Sequence, residues 1–285
     1  MAVSVTTSGD DAAGAQPTNL RQLATVYGPS TWDVYDKLDR SLDPAGPDEL
    51  IDLAGTLVDP GSIVLDAGCR DGAHLIELVR RYSVRGIGVE PVPLQVRRAR
   101  AAVDAAGLAD RITIHQAGMQ SMPIGTDSID MVWCRDVFEQ VDDPAAALAG
   151  LVRVLKSGGP LLLYTTVVTD RLRDDERALL DGHMGNIDRN LDRSWLEEQF
   201  VAAGLSIESV RSIGTEWREY SEERHQTVST ALLRLARLRR RSSEIVNDHG
   251  ADIYRHIEAN LHWELFQFLG KLDPLIYILR HAPST

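Results

Sequence analysis

The residues with the clearest chemical purpose form one short stretch, Val64-Leu65-Asp66-Ala67-Gly68-Cys69-Arg70-Asp71-Gly72, at the end of a β-branched run. Gly68 and Gly72 allow a sharp turn and a close approach of main chain to ligand, just ahead of a helix N-terminus. Asp66 can accept hydrogen bonds there or hold the loop. The next apolar run ends in Glu90, 24 residues after Asp66. An acidic group at a second strand end, behind a glycine-rich first turn, suits the two hydroxyls of a ribose. Together these features point to a nucleoside-bearing cofactor rather than a structural turn. A dinucleotide fits less well, because Ala73 and His74 stand where the pyrophosphate fingerprint needs its third glycine. No Gly-Lys-Ser/Thr of a P-loop occurs either.

Other positions admit two readings each. His183, in the loop Asp181-Gly182-His183-Met184-Gly185-Asn186, has the near-neutral pKa of a general base, or is a surface histidine. Glu216, Glu219, Glu222 and Glu223 cluster with Trp217, Tyr220 and His225. A carboxylate there would bind an amine or act as a base, or the segment is a solvated acidic turn. Residues 232–241 are rich in arginine, but Leu232, Leu235 and Leu238 give them an apolar face, so an amphipathic helix explains them without nucleic acid. Cys69 and Cys134 fall at strand ends, as small packing residues or redox-sensitive thiols.

From Ser62 to Val168 the chain resembles the class I S-adenosylmethionine-dependent methyltransferases. Five motifs carry the resemblance in order: Asp66 to Gly72; Glu90; Gly118-Met119-Gln120-Ser121-Met122-Pro123; Arg135-Asp136-Val137-Phe138-Glu139-Gln140-Val141; and Arg153-Val154-Leu155-Lys156-Ser157-Gly158-Gly159. The resemblance implies S-adenosylmethionine as cofactor, with S-adenosylhomocysteine as its product and no metal. It implies cofactor binding by Asp66, Ala67, Gly68, Cys69, Arg70, Gly72, Glu90, Pro91, Gly118, Met119, Gln120, Cys134, Arg135 and Asp136. His183, Glu216 and Tyr220 are the catalytic candidates that accompany it. Three positions depart from the family pattern. Arg70 replaces a glycine, Gly118 an aspartate that reads the adenine amino group, and Gln140 a histidine. Arg70 either points outward or reaches an anion.

The elements that must position these residues alternate. β-branched runs at Ser62–Gly68, Gly86–Glu90, Arg111–His115, Ser128–Cys134 and Gly158–Val168 are separated by amphipathic segments. That alternation predicts parallel βαβ units in a Rossmann-like, doubly wound α/β sheet. A sixth strand is expected at Leu205–Gly214, then helices throughout, then a last, antiparallel strand at Pro274–His281. The sheet is therefore expected to be seven-stranded and mostly parallel. The expected organisation is a disordered leader at 1–17, an N-terminal helical cap at 18–58 and a cofactor-binding core at 59–215. A helical lid insertion at 216–272 and a last strand with the C-terminus at 273–285 complete it. In the resembling family the cap folds over the cofactor, which gives Tyr27, Trp32 and Tyr35 a role there or in cap packing. Ile253, Ile257, Leu261, Leu265 and Leu269 form an apolar stripe, and with Trp263, Phe266 and Phe268 they suggest a substrate lid or dimer surface.

Composition bounds the function. The 285 residues carry 30 basic and 42 acidic side chains, a net charge of −12, which argues against a partner made of phosphate backbone. Two cysteines exclude a disulfide framework. No apolar run approaches the roughly 20 residues of a membrane span, and the first residues lack the marks of a signal peptide. A cytoplasmic protein without membrane or nucleic-acid partner is expected, with a homodimer through the helical cap as a further expectation. The function expected is methyl transfer to a moderately large, apolar small molecule, at oxygen, nitrogen or carbon, in secondary metabolism. Two alternatives are cofactor binding without turnover and methylation coupled to cyclisation or rearrangement.

Overall fold

The computed structural model describes residues 18–180 and 182–281. The expected leader and the last four residues lie outside them. The chain divides into two compact units, Met1–Asp43 and Pro44–Thr285. The first holds helices α1 (Thr18–Val26) and α2 (Pro29–Leu38), with Pro29 at the first turn of α2. Neither Tyr27, Trp32, Tyr35 nor Leu38 is buried.

The second unit begins with α3 (Asp48–Gly55) and then alternates: β1 (Ile63–Ala67), α4 (Ala73–Tyr82), β2 (Arg85–Glu90), α5 (Pro93–Ala105), β3 (Ile112–Gln116), β4 (Met131–Arg135), α6 (Pro144–Val154) and β5 (Pro160–Val168). Next come α7 (Asp174–Leu180), α8 (Arg193–Ala202), β6 (Leu205–Ser212), α9 (Glu216–His225), α10 (Thr227–Arg240), α11 (Ser242–His249), α12 (Ala251–Phe268) and β7 (Leu272–His281). The seven strands form one sheet in the order β3-β2-β1-β4-β5-β7-β6. β1 to β5 pair in parallel, while β7 runs antiparallel to both β5 and β6. Strand order reverses between β1 and β4, so the crevice beyond their carboxyl ends is where such a sheet takes its ligands.

Alternation along the strands makes two cores. Leu65, Val132, Cys134, Leu161, Leu163 and Tyr277 pack on one face against Leu148 and Leu151 of α6 and Phe200 of α8. Val64, Met131, Trp133, Leu162 and Tyr164 pack on the other against Leu75 and Val79 of α4 and Ala99 of α5. Leu50, Ile51 and Ala54 of α3 join that second cluster. The third helix of the expected cap thus belongs to the body of the sheet, and the division falls after Asp43 rather than after residue 58. Helix starts are set locally. Asp143 and Asp192 accept from the main-chain N–H of Ala146 (3.0 Å) and Trp195 (2.7 Å), caps worth about 1 kcal/mol each.

Two expected helical faces differ from their observed phase. On α10 the buried positions are Val228, Ala231, Leu235 and Leu238, with Leu232 exposed. The burial follows the i, i+3, i+4 geometry of the side facing Leu261 and Leu265 of α12. Along α12 only Leu261 and Leu265 of the predicted stripe are buried, while Ile253, Ile257 and Leu269 are exposed. Trp263, Phe266 and Phe268 do not form a free apolar surface: Phe266 is buried against Leu180 and Leu272, Trp263 packs beside them, and Phe268 packs on the α10–α12 cluster. No helix among the described residues is long and apolar enough to cross a membrane.

Candidate active site

β1 ends in Asp66 and Ala67, and the chain turns at Gly68 with φ at +84°. A side chain there would be strained by the backbone, and its Cβ would lie 2.5 Å from Cγ2 of Val137. The turn is tied to β2, because Gly68 and Cys69 both donate to the carbonyl of Val89 (2.9 and 3.0 Å). Gly72, at φ +78°, starts α4. Glu90, at the end of β2, is 7% exposed and accepts from the main-chain N–H of Arg70 (3.1 Å) and of Val92 (2.9 Å). It therefore shapes the turn and retains lone pairs for a diol.

Asp66 is 3% exposed, and its carboxyl makes no hydrogen bond to a described residue. Burial, with Glu90 and Asp71 adding negative charge nearby, pushes it up to about 8. A buried carboxyl without a partner calls for a cation or a donor supplied from outside.

The remaining cofactor candidates divide by what their side chains do. Arg70 has φ +47°, pairs with Asp71 at 3.3 Å in an exposed position, and lines the neighbouring cleft. Its guanidinium is thus at the rim, between the two readings its sequence position allowed. Gly118 has the extended φ of −84°, and Gln120 lies over it, so an amide rather than a carboxylate is presented there. Met119 is buried. Cys69 and Cys134 are buried too, and burial drives both thiols upward, so both are inert packing groups that offer a ligand main chain only. Arg135 lies over the rings of Tyr164 (5.4 Å) and Trp217 (5.9 Å), which stack at 5.1 Å and 4°. It also donates to Nε2 of His74 at 3.1 Å. Burial and then Arg135 push that histidine down to about 4, which keeps the ring neutral.

A cleft of about 430 Å³ opens beside this edge, lined by Arg70, Arg135, Asp136, Glu139, Gln140 and Tyr164 among others. Trp217, Arg218 and Ser221 of α9 and Asn260, Trp263, Glu264 and Gln267 of α12 close it. The lining is largely polar, unlike the apolar acceptor site expected from the lid. Glu139 stands in the turn after β4, 4% exposed. Its Oε1 accepts from the Thr165 hydroxyl (2.9 Å) and the Thr166 N–H (2.6 Å) of β5, while Oε2 is buried without a partner. Burial, then the charge of Asp136, pushes its pKa up to about 7 against the pull of those hydrogen bonds. Gln140 donates from Nε2 to the carbonyl of Met184 at 3.0 Å, holding the 182–187 loop where a histidine would titrate.

None of the three catalytic candidates is among the residues that line this cleft. Glu216 accepts from the N–H of Ala45 (3.0 Å) and from Arg211 (2.6 Å), Tyr220 packs on Gly46 beneath Arg224, and His183 offers its carbonyl to His256 (2.8 Å). The helix explains their placement: Glu216 and Tyr220 are four apart and share one face of α9, while Trp217, Arg218 and Ser221 share the face toward the cleft. Glu139 lay inside a quoted motif; its signal was a glutamate directly behind a strand end.

A Rossmann-like sheet with a glycine turn, two buried strand-end acids and an adjoining polar cleft has the features that suit a nucleoside-bearing cofactor. Residues 65–163 match the family described as methyltransferase domain. The chain is 29% identical over 168 residues to methyltransferase GfsG of Streptomyces halstedii, covering 58% of this chain and 53% of that protein. It is 33% identical over 122 residues to a dimethylglycine N-methyltransferase of Parasynechococcus marenigrum, covering 42% and 43%. The chain thus spans about half the length of the curated relatives it matches. In fold it is similar to the (4+2)-cyclase SpnF, with a TM-score of 0.66, 21% identity and coverage of 83% of this chain and 81% of that one.

Proposed function

We propose that the protein transfers a methyl group from S-adenosylmethionine to a small-molecule acceptor whose oxygen, nitrogen or carbon nucleophile gives up a proton. The observation that carries this reading is the partnerless, buried carboxyl of Asp66 beside Glu90 and the Gly68 turn, next to a cleft that holds Glu139. The residues fit the cofactor. Asp66 would hold its cationic amino-acid end, Glu90 its ribose hydroxyls, and the Gly68–Gly72 main chain would come close without a side chain intervening. Arg70, Gly118, Met119, Gln120, Arg135 and Asp136 would border it. When bound, the cofactor supplies a methyl group on a sulfonium, electrophilic without further activation.

The chain's own task is alignment, exclusion of water and removal of one proton. Glu139 is placed for the last. Its Oε1 is fixed by Thr165 and Thr166, and Oε2, buried without a partner, is the oxygen that would take the proton once an acceptor packs against it. Arg135, stacked on Tyr164 and Trp217 and hydrogen-bonded to His74, is a rigid wall between the cofactor edge and the cleft. A cytoplasmic location and a homodimer belong to the same proposal; the exposed Tyr27, Trp32 and Tyr35 support a surface for the latter.

The test is transfer of labelled methyl from S-adenosylmethionine into a mixed small-molecule extract, comparing wild type with Glu139→Gln. Labelled product that the variant loses supports the reading, and its skeleton separates simple methylation from cyclisation. Cofactor binding with no labelled product from any extract contradicts it.

A further inference from the structure

The wall around Glu139 carries hydrogen-bond donors that the proposed proton transfer does not use. Arg218 of α9 donates from Nε to Oε1 of Gln267 at 2.7 Å, and Gln267, buried on α12, reaches Oγ1 of Thr166 at 3.4 Å. The N–H of Thr166 is the donor that fixes Glu139 (2.6 Å), and the Glu139 carbonyl accepts from Ile187 (2.8 Å), the neighbour of Asn186. Arg218, Gln267, Glu139 and Asn186 therefore form one connected side of the cleft.

Beside the open Oε2 of Glu139, this side carries unused donors. Arg218 uses its Nε for Gln267 and its charge also acts on Asp136 of the same cleft, while its Nη groups make no hydrogen bond to a described residue; Nδ2 of Asn186 and Nε1 of Trp217 are buried without a partner, in side chains 9% and 6% exposed. Buried donors left open cost free energy unless a ligand fills them. A planar oxyanion is the group that takes a guanidinium and further N–H donors together.

We propose that the acceptor carries a carboxylate, held by Arg218 with Trp217 and Asn186, on the same molecule as the nucleophile that Glu139 deprotonates. The acceptor class is thus the hydroxy or amino acid rather than the neutral apolar metabolite. Gln267 is a positioning residue that fixes the guanidinium relative to the base. Glu264, on the cleft side of α12 and three residues before Gln267, opposes the same anion.

This inference rests on the methyltransferase reading, so its test begins with the full chain loaded with S-adenosylhomocysteine. Probes are 4-hydroxybenzoate, 3-(4-hydroxyphenyl)propanoate and N-methyl-β-alanine, each beside its methyl ester, followed by calorimetry. At least one acid should bind about tenfold or more tighter than its ester. Arg218→Gln should abolish that preference, Arg218→Lys should retain part of it, and Glu264→Gln should strengthen acid binding. Near-native melting and S-adenosylhomocysteine affinity in the variants exclude misfolding. Equal binding of acids and esters, or no acid bound by protein that takes S-adenosylhomocysteine, overturns the carboxylate assignment alone. Failure to bind S-adenosylhomocysteine overturns the methyltransferase reading itself.

Discussion

Asp66 and Glu139 are both buried carboxyls, one at the end of β1 and one in the turn after β4, and their surroundings differ. Around β1 and β2 the main chain is tied down: Gly68, Cys69, Arg70 and Val92 donate to Val89 or Glu90, while the Asp66 carboxyl makes no hydrogen bond to a described residue. Around β4 and β5 the carboxyl itself is half satisfied, one oxygen fixed by Thr165 and Thr166 and the other free. An open carboxyl in a fixed turn is a binding group for a cation. A carboxyl pinned by one oxygen, with a pKa of about 7, is suited to exchanging a proton near neutrality.

The sharpest way to break that division is Glu139→Gln, which keeps an acceptor oxygen for Thr165 and Thr166. Its kcat is expected to fall by roughly 10²–10⁴-fold, the usual worth of a general base, with cofactor affinity unchanged. The proposed base works unprotonated, so the wild-type rate is expected to rise with pH through about 7 and then level off. A variant that instead loses cofactor affinity would merge the two regions.

Next in size is Gly68→Ala. The positive φ and the approach to Val137 are expected to lower stability by about 2 kcal/mol, read from denaturant unfolding. Glu90→Ala should weaken S-adenosylhomocysteine about tenfold, or 1.4 kcal/mol. Asp66 adds a pH signature to the ligand-free protein. Its folded pKa of about 8 exceeds the unfolded value of 3.8, so the folded state binds more protons between them. Stability contributed by this group is full below about pH 4 and declines as pH rises toward 8, with a slope of at most about 1.4 kcal/mol per unit. Asp66→Asn should remove that slope. The smallest effects belong to His183→Ala and Tyr220→Phe, each expected within about twofold in kcat and about 0.5 kcal/mol in stability.

The same contrast explains what could be read from the residues alone. The proposed cofactor edge is nearly contiguous in sequence, a strand end followed by its own turn, so Asp66, Gly68, Gly72 and Glu90 mark it. Strand alternation likewise exposes the sheet, including the antiparallel β7. The cleft is assembled from residues 139, 164, 186, 218 and 267, which five separate segments bring together. Nothing local marks such a set. On α9 only Trp217 is buried, so no apolar stripe shows which face turns inward, and the sequence does not separate Glu216 and Tyr220 from Arg218 and Ser221. On α10 the leucines at 232, 233, 235 and 238 admit several phases, and only the partner helix selects one.

The most direct measurement is calorimetric titration of the full chain with S-adenosylhomocysteine at pH 7 in buffers of different ionisation enthalpy, for wild type and Asp66→Asn. A ligand ammonium beside Asp66 should bring its raised pKa down, so wild-type binding should release close to one proton. Asp66→Asn should bind more weakly and release none. No binding by either protein, or tight binding with no proton released and no loss in Asp66→Asn, would contradict the assignment of this edge to S-adenosylmethionine.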